Sequence, residues 1–226
     1  GLVRGRGLRG FALAVEGWLL RRFDRASTIS ARMLEKLAHK SVAAERRRLF
    51  PNWVDTNEIR PHAAPAAMRA ELGIPDSAVV LLYSGNLGRK QGLDVVIEAA
   101  RLLAREPQLL FLICGDGSER ERLHALAREV ANVRFLPLQP ARRLNEFLNC
   151  ADVHLLPQRA DVEDLVMPSK LTAMMASGRP VVATARAESE VARAVAHGGL
   201  VVPPGDAAAL AQAIVELAAD AARREQ

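Results

Sequence analysis

The chain has 226 residues, 50% of them hydrophobic and 25% charged, with a formal net charge of +5. This is a globular composition with room for one good core, or for one domain and part of another. It excludes a transmembrane span, for which no apolar run approaches ~18 residues, and a zinc centre, for which no Cys/His cluster has the spacing; Cys114 and Cys150 read as reduced, buried thiols of a cytosolic protein.

The first elements are basic. Residues 8–23 place Leu8, Phe11, Ala12, Val15, Trp18, Leu19 and Phe23 at helical spacing, with Arg9, Glu16, Arg21 and Arg22 opposite. Residues 25–30 form a short β-type run, and Ser30 is placed to cap a second helix, ARMLEKLA. Residues 49–61 carry two prolines and no periodicity, so they read as a linker. The arginines at 4, 6, 9, 21, 22, 25, 46, 47 and 48 face either solvent or phosphates on a membrane or nucleic acid. The chain opens on Gly1 without an initiating Met or a signal-peptide core, as a fragment does.

From residue 74 the pattern turns regular. Strands are expected at 78–85, 109–117, 132–138, 152–158, 180–184 and 199–204. Helices are expected at 92–105, 118–130 (capped by Ser118), 140–151, 169–178, 188–198 and 206–224 (capped by Asp206). Six alternating rounds predict an α/β fold, a doubly wound, Rossmann-like parallel sheet with helices on both faces. Ligands of such sheets bind beyond the carboxyl ends of the strands, which directs attention to the loops there.

Three loops carry chemistry. In SGNLGRKQG (84–92), Gly85 lets a ligand approach the backbone, Asn86 donates and accepts, and Arg89 and Lys90 add positive charge ahead of a helix. The same stretch also suits a plain tight turn, since GxGxxG is absent. In CGDGSERERL (114–123), Gly115 and Gly117 flank Asp116, fitting either a capped turn or a passage for a base or ribose. In VMPSKLTAMMASG, Pro168 fixes the chain, Ser169 can cap the helix and Lys170 lies in its first turn. A lysine there opposes the positive end of the helix dipole, a misfit that an anion at that end resolves. Upstream, Asp161, Glu163 and Asp164 can bind sugar hydroxyls or form a solvated acidic loop. No G-x-S-x-G or Walker lysine motif is present, and His39, His62, His124, His154 and His197 read as structural.

In order, SGNLGRKQGLDVVIEAARLL, LFLICGDGSERERL, NVRFLPL, ADVHLLP, PSKLTAMMASGRPVVAT and GGLVVPPGDAAALAQAI resemble the C-terminal, donor-binding domain of GT-B glycosyltransferases. The likeness is to the large retaining family that builds exopolysaccharides and O-antigens, especially its colanic-acid-type members, and it covers roughly 74–220. Residues 1–60 resemble the last helices of that family's N-terminal, acceptor-side domain with the interdomain linker, and 61–226 its nucleotide-sugar-binding domain.

The resemblance implies a nucleotide-sugar donor, usually a UDP-sugar, no obligatory metal or other cofactor, and transfer with retention to a lipid-linked sugar or polysaccharide; the alternative is a module that binds a nucleotide sugar without catalysis, the rest of the N-terminal domain being absent from this sequence. It places the diphosphate at Gly85, Asn86, Arg89, Lys90, Pro168, Ser169 and Lys170, with Lys170, Arg89 and Lys90 stabilising the leaving group. The nucleobase and ribose fall to Gly115, Asp116, Gly117, Phe135, Leu138 and Ala173, and the donor sugar to Asp161 and Asp164. The sequence departs from the family at Asn86 and Gln91, where many members have Arg and Lys, and at Leu165 and Ala173, where they have glutamates. The expected location is cytoplasmic, at the inner face of the membrane through the basic N-terminal helix. The strand-end glycine loops argue against a nucleic-acid partner.

Overall fold

The computed structural model describes residues 6–62, 66–159, 161 and 167–224. They fall into two compact units, one of the residues up to Asn52 with Met167, the other of the rest.

In the first unit, helix α1 (Arg6–Leu20) precedes strand β1 (Ala26–Thr28), helix α2 (Ala31–His39), a 3-10 turn at Ala44–Arg46 and strand β2 (Arg47–Leu49). Ser30 caps α2 as expected, its side chain accepting from the Met33 amide at 3.3 Å. β2, which the sequence reading missed, runs parallel to β1. Its residues are Arg-Arg-Leu and largely exposed, so it carries no apolar signal. Lys40 pairs with Glu16.

The second unit opens with a short helix, α3 (Ala66–Glu71), also missed. Strands β3 (Val79–Ser84), β4 (Leu109–Cys114), β5 (Val133–Leu136), β6 (Val153–Leu156), β7 (Val181–Thr184) and β8 (Gly199–Val202) then form one parallel sheet of order β5-β4-β3-β6-β7-β8. Between and after them lie α4 (Asp94–Leu102), α5 (Arg120–Leu126), α6 (Leu144–Asn149), α7 (Ser169–Ala176), α8 (Glu190–Val195), α9 (Ala207–Ala219) and α10 (Ala221–Arg224).

The sheet is covered on both faces, which is why its strands read as unbroken apolar runs. On β3 the residues alternate: Leu81 and Tyr83 pack with α4 and α9, while Val80 and Leu82 pack with Met68 and Phe147. At the amino end of β3 the Arg69 guanidinium spans the Cys150 carbonyl (2.9 Å) and the Asp152 carboxylate (2.6 Å), which also accepts from the Val80 amide. Asn149, fully buried, donates to the Arg60 carbonyl at 3.0 Å and accepts from the His62 amide at 2.9 Å, binding residues 60–62 to α6.

Three expected details are corrected. Ser118 does not cap α5; Glu119 occupies that position, with no side-chain cap bond. Pro168, not Ser169, is the cap residue of α7, and Ser169 is its first helical residue. The last helix breaks at Asp220, whose extended backbone separates α9 from α10; Asp206 does cap α9, accepting from Ala209 at 2.9 Å.

Candidate functional site

The strand order reverses between β3 and β6: from β3 the chain steps outward to β4 and β5, then returns to β6 on the other side. In open α/β sheets the crevice for a ligand lies at that reversal, at the carboxyl ends. Here the 84–91 loop follows β3, and the segment after β6 leads to the start of α7.

The loop after β3 is welded to the loop after β4. The Gly85 amide donates to the Cys114 carbonyl (3.0 Å), Leu87 to Asp116 (2.7 Å), and Glu119 back to Leu87 (2.9 Å). This close approach requires glycine. A Cβ on Gly115, at φ +149°, would lie 1.8 Å from the Gly85 carbonyl oxygen, and one on Gly117 would lie 2.5 Å from the Asn86 amide oxygen. The glycines thus seat one loop on the other, a role independent of any ligand. Asp116 accepts from the Gly117 amide at 2.8 Å.

Lys170 turns back from α7 toward this loop. Its ammonium stands 3.9 Å from the centroid of the Tyr83 ring, and a Cβ on Gly85 would touch it at 3.5 Å. The Lys170 Nζ atom is shielded from solvent and has no hydrogen-bond partner among the described residues. Burial lowers its pKa to about 7. The Gln91 side-chain oxygen, also shielded, has no partner among the described residues either. A buried cation without an acceptor, at the mouth of a helix, is equipped to receive an anion.

The other expected site residues divide. Arg89 and Lys90 are exposed on a 3-10 turn, Arg89–Gln91. Asn86 is exposed, while Gly85 and Pro168 are half-buried beside Lys170 and Ser169 opens α7 to solvent. Asp161 is bound by Arg159 in two hydrogen bonds of 2.7 and 3.0 Å, and this contact holds its carboxyl below the usual range. Asp164 and Glu163, and Leu165, lie outside the described residues. Phe135 stacks beneath His124 of α5, ring centroids 3.8 Å apart, so its face is covered by protein. Leu138, 65% exposed, lies past the end of β5, and Ala173 lies half-buried in the second turn of α7.

Two residues escaped the sequence reading. Tyr83, the single tyrosine of the chain, underlies Lys170 and donates its hydroxyl to the Asn86 carbonyl at 2.6 Å. Its position immediately before the Ser-Gly turn was the available signal. Arg159 lies against Gly92, whose Cβ it would meet at 2.8 Å; nothing in the local sequence marks it.

His154 and Cys150 belong to the buried interior. His154 is fully buried and bonded to the Ser177 hydroxyl at 3.0 Å. Burial, with the charge of Arg179, pulls its pKa down to about 3. Burial raises the Cys150 thiol to about 11. Among the described residues no group of three or more His, Cys, Asp or Glu side chains could hold a metal ion.

Residues 78–220 match the family model for glycosyl transferases group 1. The chain is 41% identical over 196 residues to WcaI of Escherichia coli K12, named as a glycosyl transferase of colanic acid biosynthesis, covering 84% of this chain and 48% of that protein. Sucrose-phosphate synthase of Thermosynechococcus elongatus superposes with a TM-score of 0.73 at 27% identity, over 99% of this chain and 56% of that one. Anabaena HepE, solved in complex with UDP-glucose, superposes with a TM-score of 0.76 at 21% identity, over 95% of this chain and 61% of that one. The chain spans about half the length of the curated relatives it matches.

Proposed function

The chain belongs to the group 1 glycosyl transferases, with the GT-B fold, and from that membership we propose that it is the donor half of a glycosyltransferase whose substrate is a nucleotide-diphosphate sugar, a UDP-sugar. The observation that carries this reading is the solvent-shielded ammonium of Lys170 beside the Gly85 loop, without a hydrogen-bond partner among the described residues. A diphosphate at that point accepts from the ammonium and from the opening amides of α7, while Arg89 and Lys90 add charge from the exposed turn. The HepE complex supports a uridine nucleotide. No cofactor is needed for this step.

Negative charge grows on the diphosphate as the glycosidic bond breaks, so Lys170 holds the transition state more tightly than the donor. The acceptor hydroxyl attacks from the face the leaving group vacates, giving retention. We propose a lipid-linked sugar or polysaccharide as acceptor, at the inner face of the membrane. α1 supports that placement: Phe11 is 68% and Trp18 49% exposed, with arginines close by in sequence.

Calorimetric titration of the chain with UDP, UDP-glucose, UDP-GlcNAc and GDP-mannose tests the reading. Saturable binding of a UDP-sugar is expected, weakened about 10- to 100-fold by Lys170→Ala, the worth of a charge-assisted hydrogen bond. Binding that ignores this substitution, or no binding at all, refutes the donor site.

A further inference from the structure

Tyr83 stands between the two halves of the candidate site. It is the fifth residue of β3, and its side chain is fully buried on the α4 and α9 face. One end of it, the hydroxyl, donates to the Asn86 carbonyl at 2.6 Å and so ties the glycine loop down. Its ring face carries the Lys170 ammonium at 3.9 Å. A Cβ on Gly85 would meet Lys170 Nζ at 3.5 Å and the Tyr83 hydroxyl at 3.6 Å, so loop, phenol and ammonium converge within one contact distance.

Among the described residues Lys170 has no hydrogen-bond partner, and no acid forms an ion pair with it. Arg89 and Lys90, the nearest cations in sequence to the loop, stand exposed on their turn. Burial is the cause of its lowered pKa, with no charged neighbour among the described residues contributing. Among the described residues, the negative face of the Tyr83 ring is therefore the stabilising contact of the charged form of Lys170.

We propose that Tyr83 is a positioning residue for the donor diphosphate, with two separable parts: its ring holds the Lys170 ammonium over the strand end, and its hydroxyl sets the height of the glycine loop beside it. The proposal rests on the donor-site reading for its purpose, though not for its first test.

That test needs no ligand. The titration of Lys170 is followed by NMR of the lysine ammonium in the full chain, for the wild type, Tyr83→Phe, Tyr83→Leu, and a variant with 3,4,5-trifluorophenylalanine at position 83. Tyr83→Phe keeps the ring and is expected to leave the midpoint unmoved. Tyr83→Leu, apolar but without a ring, and the fluorinated ring, of the same shape but a weakened face, are each expected to lower it by about half a unit to one and a half units. The fluorinated variant decides the question even where Tyr83→Leu fails to fold. An unmoved midpoint in it overturns the ring's role.

UDP-glucose affinity then separates the two parts. Tyr83→Phe is expected to weaken binding about fivefold, equally in the wild-type and Lys170→Ala backgrounds, through the loosened loop. The further loss in Tyr83→Leu is expected to vanish in the Lys170→Ala background, because the ring acts only through the ammonium. A further loss that persists there overturns the inference while leaving the donor site standing. Absence of UDP-glucose binding by the wild type refutes the donor site instead, and the titration still decides what the ring does.

Discussion

Lys170 titrates near neutrality in the free chain because its ammonium is buried, and an anion beside it reverses that. A bound diphosphate favours the charged form and raises the pKa, so above about pH 7 UDP-glucose binding takes up a proton. Its affinity is expected to fall as pH rises from 7, by at most about tenfold per unit; calorimetry in buffers of different ionisation enthalpy reads the uptake, which Lys170→Ala abolishes. The same burial costs stability in the free chain. The folded pKa lies below the unfolded value of 10.5, so the cost is full below pH 7 and fades as pH rises toward the unfolded pKa. Lys170→Met is therefore expected to raise the unfolding free energy at pH 6.5 by about 1–3 kcal/mol, read as a higher urea midpoint, while weakening binding as Lys170→Ala does. His154 works in the opposite range. It binds its proton near pH 3 when folded, against 6.5 unfolded, so stability falls as pH drops through 6.5 toward 3, by up to about 1.4 kcal/mol per unit. In His154→Gln, urea unfolding at pH 7, 5.5 and 4.5 should show a flatter decline. Lys170 was legible in the sequence as a cation at the wrong end of a helix. Tyr83 was not, because an aromatic at the end of an apolar strand reads as core. Asp161 was expected at the sugar, and its bonds to Arg159, two residues earlier, hold it instead.

At the scale of elements, two laced loops and one clamp carry the weight. Gly115→Ala drives a methyl group into the Gly85 carbonyl. It should cost about 3 kcal/mol or more and abolish UDP-sugar binding in the same variant, whereas Gly198→Ala, with open space around it, should change neither; differential scanning calorimetry and titration decide. Strands and helices of the sheet were legible because each central strand is buried on both faces and each helix on one. The glycine pair at 115 and 117 was legible as a special turn, but whether it made room for a ligand or for a neighbouring loop depended on a contact thirty residues away. β2 and α3 were invisible for the converse reason: a three-residue, largely exposed strand and a six-residue helix offer no period to read.

For the whole molecule, the sheet order places the start of α7 beside the loop after β3, although some 80 residues separate them. No local pattern encodes that juxtaposition; alternation of elements and the handedness of their connections do. The exposed apolar residues of α1 belong to this scale as well. No helix among the described residues is long and apolar enough to cross a membrane. The chain is expected to sediment with vesicles containing anionic lipid, less so at high salt. Phe11→Ser with Trp18→Ser should reduce the bound fraction severalfold; equal sedimentation of wild type and double variant would refute the contact.

The lacing of the 84–88 and 114–119 segments has a consequence in time. Surface loops trade their amide hydrogens for deuterium quickly, yet the amides of Gly85, Leu87 and Glu119 are donors in the same kind of ladder as the strands. They should keep their protons as long as β3 and β4 do, and give them up only when the sheet itself opens. The rim of the crevice is then slow ground, and a nucleotide arriving there meets a surface already formed.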